Sequence, residues 1–75
     1  MEVRDRIRAL RQFKKVSTYA LAELTDLSQP VIDRMETGKR KITAEDLVVI
    51  AKALNVPVES FFYDDKMLEA MQGDK

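Results

Sequence analysis

Cysteine and histidine are both missing from this 75-residue chain. Without cysteine no disulfide can staple the fold, and no thiolate can attack a substrate or hold a metal. Without histidine the commonest general base and the commonest metal ligand are gone too. Tryptophan is absent, and glycine and proline number two each. So few chain-breakers favour a helical domain with few turns. No apolar run approaches the roughly 20 residues of a membrane span, and no signal peptide is expected ahead of the first helix, so the expected location is cytoplasmic. An enzyme built from this chain would have to rest on Ser, Lys or carboxylates. Asp64-Asp65 could in principle hold a hard cation, but a flexible acidic link is the simpler reading, and so short a chain offers little pocket. No catalytic residue, metal or cofactor is expected.

What is present points to a globular fold. Hydrophobic residues make up 45% and charged residues 35% of the chain, enough for one domain with a small core. The net charge of zero hides an asymmetry. Residues 1–41 hold ten Lys/Arg against six Asp/Glu, and residues 42–75 hold three against seven, so the halves carry +4 and −4. One basic half beside an acidic one suggests a face for a polyanion. Small domains also reach such lopsidedness by chance, and strong nucleic-acid binders are usually basic overall.

The chain is organised around residues 18–37. Leu21, Ala22 and Thr25 share one helical face. Asp26-Leu27 interrupts the pattern. Ser28 is placed to cap a new helix, with Pro30 in its first turn, where the missing N–H costs little. Ile32 and Met35 continue the apolar face, and Gly38 suits the left-handed residue that ends a helix. Two helices joined by about four residues cross steeply. Ala22 and Ile32 suit the small and the packed side of that crossing.

This stretch resembles the helix-turn-helix of the Cro- and Xre-type, lambda-repressor-like, DNA-binding family. The matching positions are Leu21, Ala22, Leu27, Ile32, Met35, Glu36, Gly38 and the basic run after it, and the likeness extends over roughly residues 3 to 62. The implied fold is all-α: a five-helix domain over residues 1–62, followed by a tail over 63–75 with room for a short sixth helix. The implied function is double-stranded DNA binding by a homodimeric transcriptional regulator, more often a repressor than an activator, with helix 3 in the major groove of a palindromic operator. A stand-alone domain of this size is similar to small phage-type repressors and restriction–modification controller proteins, or to the DNA-binding part of a longer regulator. A protein-binding module, such as an antitoxin or adaptor on the same fold, is the alternative.

In chain order, Glu2 to about Lys14 reads as helix 1, with Val3, Ile7 and Leu10 on one strip and Arg4, Arg8 and Arg11 on another. The family usually carries glycine where this chain has Lys15, so Lys15 must take a less comfortable backbone or the helix must end differently. Val16 should plug the core. Ser17 or Thr18 caps helix 2, which runs to about Thr25. Asp26 replaces the glycine typical of the turn, and aspartate tolerates left-handed geometry better than most residues. In helix 3, from Gln29 to about Thr37, Ile32 and Met35 point inward. Gln29, Pro30, Asp33 and Arg34 point outward and are the candidate base readers, Arg34 foremost because guanidinium matches guanine O6 and N7. The candidate phosphate contacts are Thr18, Tyr19, Thr37, Lys39, Arg40 and Lys41. Each of these could equally be a solvated surface side chain. The resemblance also pairs Glu36 with Arg11 as a partly buried ion pair. Thr43 and Asp46 form an approximate capping box for helix 4. Its buried stripe is Leu47, Ile50, Ala51 and Leu54, closed by Asn55 in a glycine-like position. Val56 to about Phe62 makes helix 5. Val58, Phe61 and Phe62, with Met67, Leu68 and Met71 of the tail, are the candidate dimer contacts, unless they only finish the core.

Overall fold

The computed structural model describes residues 2–62, which form four α-helices and one short 3-10 turn, with no strand among them. Helix α1 spans Val3–Phe13. Its strip of Val3, Ile7 and Leu10 faces the core, Ile7 being fully buried. The Asp5 carboxylate accepts from the Glu2 N–H at 3.2 Å and ties down the first turn. Helix α2 spans Thr18–Leu24 and α3 spans Gln29–Glu36. Helix α4 spans Ala44–Leu54, and the 3-10 turn spans Val58–Phe61.

Three hydroxyls set the helix starts. The Ser17, Ser28 and Thr43 side chains accept from Ala20, Val31 and Asp46 N–H at 3.0, 3.4 and 3.1 Å. Asp46 completes the box on α4 by accepting from the Thr43 N–H at 2.9 Å. Each hydroxyl satisfies one of the orphan donors that open a helix.

Three of the four helices end in the same way. Lys15, Gly38 and Asn55 each take a left-handed φ, of 60°, 79° and 57°. The next N–H then reaches back five residues, as Val16 to the Arg11 carbonyl, Lys39 to Arg34 and Val56 to Ala51. This closure satisfies carbonyls that the helix leaves free. Helix α2 ends differently, which corrects the expectation for Asp26. Among the described residues only Lys15 and Asn55 are non-glycine residues with positive φ, so Asp26 does not stand in for a left-handed glycine. Instead Thr25 is extended and its hydroxyl turns the chain. It donates to the Leu21 carbonyl at 2.9 Å and accepts from the Leu27 N–H at 3.2 Å.

The core joins Ile7, Leu21, Ile32, Met35, Leu47, Ile50, Ala51, Leu54 and Phe61, drawn from all five elements. Each large member stabilises the fold by about 1.5–3 kcal/mol through burial. Helix α3 packs against α1 and α2, whereas α4 packs against α1, α2 and the 3-10 turn. Helix α3 therefore forms one side of the domain and α4 with the turn another.

The last element corrects a second expectation. It is a 3-10 turn and not a fifth α-helix. Pro57 precedes it, and only Val58, Glu59, Ser60 and Phe61 belong to it. In a 3-10 turn residues three apart eclipse one another, so Val58 and Phe61 face the same way. Phe61 is consequently a core residue, 1% exposed, in keeping with the reading in which it finishes the core. Val58 is partly buried against the same cluster, while Phe62 points out at 56% exposure. The proposed sixth helix and the candidate contacts Met67, Leu68 and Met71 lie outside the described residues.

Candidate nucleic-acid interface

Helix α3 presents two faces. Ile32, Met35 and Glu36 are buried, and Gln29, Pro30, Asp33 and Arg34 are all exposed. The four candidate base readers thus share one solvent-facing surface on a helix held from behind by the core. Such a ridge is the shape that enters a major groove.

The first turns of α2 and α3 meet. Gln29 Nε2 donates to Thr18 Oγ1 at 3.0 Å. This bond orients the Gln29 amide, and among the described residues its carbonyl oxygen and second N–H have no protein partner. Thr18 acts here as acceptor, so its own hydrogen remains available for a phosphate oxygen. Tyr19, next to it, is exposed. Thr37 stands otherwise. Its hydroxyl bonds to the carbonyls of Asp33 and Arg34, at 2.9 and 3.3 Å, so its hydrogen is engaged by its own helix. Lys39, Arg40 and Lys41 follow directly, all exposed.

The C-terminal half of α3 is braced from α1. Arg11 donates twice to the Glu36 carboxylate, Nε to Oε2 at 2.7 Å and Nη2 to Oε1 at 2.9 Å. Its remaining Nη1 donates to the Val16 carbonyl at 2.9 Å. Arg8 adds a second, looser cation, with Nε 3.7 Å from Glu36. The Arg11 and Glu36 side chains are only 12% and 4% exposed. The hydrogen bond to Glu36 holds the Arg11 guanidinium above its ordinary pKa, overcoming the opposing effect of burial, and the charges of Glu36 and Asp33 add to this. Arg11 is therefore a fixed cation, and one guanidinium fork ties α1, α3 and the α1–α2 connection together.

Arg4, which carried no functional assignment from the sequence, joins this region. Its guanidinium lies over Gly38, so that a Cβ on that glycine would run into it. Only the arginine strip on α1 hinted at this, because the two residues are distant in sequence and nothing in the periodicity of either helix brings them together.

The comparisons agree with this geometry. A family profile described as helix-turn-helix matches residues 7–61. An HTH-type transcriptional regulator of Mycobacterium tuberculosis is 40% identical over 63 residues, which are 84% of this chain and 45% of that protein. The chain thus spans less than half the length of that relative. Control protein C.SmaI of Serratia marcescens is 33% identical over 54 residues, 72% of this chain and 64% of that protein. Among solved structures, the restriction–modification controller protein C.AhdI from Aeromonas hydrophila superposes with a TM-score of 0.76 at 28% identity, covering 80% of this chain and 91% of its own. The DNA-binding domain of the P22 C2 repressor superposes with a TM-score of 0.78 at 26% identity, covering 87% and 86%.

Proposed function

The chain belongs to the Cro/Xre-type helix-turn-helix family of transcriptional regulators, and from that premise we propose that it binds a specific double-stranded DNA site as a homodimer and regulates transcription, as a repressor in the first instance. Residues 1–62 are the DNA-binding domain. Residues 63–75, which lie outside the described residues, are proposed as a tail or short helix that adds to the dimer contact. The observation that carries this reading is the exposed row of Gln29, Pro30, Asp33 and Arg34 on a helix whose opposite face is locked by the core and by Arg11–Glu36. Gln29 and Arg34 read bases, Pro30 packs on a thymine methyl, and Asp33 accepts from cytosine or steers Arg34. Thr18, Tyr19 and the basic loop of Lys39, Arg40 and Lys41 hold the backbone on either side. Thr37 would join them only by turning its hydroxyl away from α3. The protein acts by occupying DNA, without catalysis. The named controller proteins suggest control of a restriction–modification system as one setting for such a domain.

The test is selection of bound duplexes from a random pool at about 0.15 M salt, where non-specific binding is held down, with Arg34→Ala beside the wild type. An inverted repeat should be enriched by the wild type, and the substitution should abolish it or relax it at one position per half-site. No enrichment from well-folded protein would overturn the reading and favour a protein-binding module.

A further inference from the structure

Between the start of α1 and the segment that follows α3 lies an open cleft of about 430 Å³. Arg4, Lys39, Arg40 and Lys41 line it together with the apolar residues Val3, Met35 and Ile42. A single carboxylate, Glu2, reaches it and lies 3.2 Å from Arg4 Nη2. Four cations against one anion leave the cleft strongly positive, and apolar walls strengthen the field inside.

We propose that this cleft is a second backbone-binding site, in which Arg4 takes a phosphodiester of the DNA together with the Lys39–Lys41 loop. The inference rests on the DNA-binding reading and extends its footprint to α1. Three observations support it. First, Arg4 is 40% exposed and Glu2, itself 71% exposed, is its one polar partner among the described residues, so most of its five N–H donors are free. Second, its position is constrained. The guanidinium rests on Gly38, the residue that ends the reading helix, and any side chain there would displace it. Third, the loop backbone is largely spent. The Lys39 and Arg40 N–H groups already donate to the Arg34 carbonyl at 2.8 and 3.2 Å, so at these two residues an anion would be held by the side chains. A phosphate flanking the groove that α3 enters meets the loop, and Arg4, whose guanidinium rests on Gly38 at the start of that loop, reaches the same strand. Lysine supplies a point charge there, whereas arginine's planar fork matches two phosphate oxygens.

The experiment is a salt titration of duplex binding by fluorescence anisotropy. It uses one duplex from the selected pool and one of random sequence, with wild type, Arg4→Gln, Arg4→Lys and Lys52→Gln. Lys52 lies on α4 outside the cleft and controls for net charge. Each phosphate contact contributes about 0.9 to the slope of log affinity against log salt. Arg4→Gln should lower the slope by about that amount and weaken both duplexes alike, roughly five-fold at about 0.15 M salt. Arg4→Lys should recover most of the slope, and Lys52→Gln should keep all of it. A melting curve for each variant separates lost contact from lost fold. Wild-type binding with an unchanged slope for Arg4→Gln would overturn this inference alone. A loss confined to the selected duplex would also overturn it, since a backbone contact carries no sequence preference. Wild type that binds neither duplex would remove the DNA-binding reading and this inference with it.

Discussion

At the scale of single residues, Lys15, Gly38 and Asn55 occupy one backbone state with three different side chains. Glycine adopts that state freely, and asparagine often does. For a lysine the clash of Cβ with the following carbonyl costs roughly 1–2 kcal/mol. Lys15 is exposed, and its backbone N–H already closes on the Gln12 carbonyl at 3.0 Å, a bond that glycine would keep. Lys15→Gly should therefore stabilise the domain by about 1 kcal/mol, after allowing for the extra freedom of glycine in the unfolded chain. In a domain of this size that raises Tm by roughly 5 °C, which thermal melting followed by circular dichroism would register. An unchanged Tm would mean that the local backbone relaxes in solution. The strain at Lys15 was legible only because the resemblance places glycine there. Nothing in the spacing of apolar residues marks a left-handed lysine, whereas Gly38 and Asn55 advertise the same role by their chemistry.

At the scale of elements, the outward row on α3 is useful only if the helix does not rock. Its apolar face gives it a seat, and the Arg11–Glu36 fork fixes its far end to α1. Removing one member of a nearly buried pair leaves the other desolvated and alone. Glu36→Gln keeps the volume and one acceptor, so the expected loss is about 2–3 kcal/mol, a large share of what so small a domain holds. Denaturant unfolding would measure it, and a loss under about 0.5 kcal/mol would class the pair with ordinary surface bridges. The raised Arg11 pKa adds a sign. Its contribution is complete below the ordinary arginine value and is lost as pH rises from there through the folded one, so it stays constant through neutral pH. Much of this scale was legible beforehand. Ser17, Ser28 and Thr43 are cap residues followed by apolar periodicity, and Leu47, Ile50, Ala51 and Leu54 repeat at helical spacing. The final element was not. Phe61 and Phe62 are neighbours of equal hydrophobicity, and only the three-residue pitch of the 3-10 turn decides which ring is buried.

At the scale of the whole molecule, charge and packing divide the domain along the same line. The basic loop follows α3, and Arg4, Arg8 and Arg11 of α1 lie against Gly38 and Glu36, while α4 and the 3-10 turn carry Glu45, Asp46 and Glu59 against one lysine, Lys52. Helix α4 packs on α1 and α2 and not on α3, and the acids it carries help to leave an overall pI of 6.2 beside a locally cationic loop. That side of the domain also carries exposed apolar groups, Val48, Val49 and Phe62. A two-fold contact through Phe62 would set two α3 helices on one face of the duplex, about 34–36 Å apart, one helical turn. Phe62→Glu then separates dimerisation from folding. The ring is 56% exposed, so the core loses little. Two buried carboxylates meeting across a symmetric contact would, however, repel and resist desolvation. Sedimentation equilibrium should show wild-type dimer becoming monomer with melting hardly altered, and selection should then return single half-sites in place of an inverted repeat. A Phe62→Glu variant that remains dimeric would move the contact off this residue and onto the chain beyond it, residues 63–75, where Met67, Leu68 and Met71 lie.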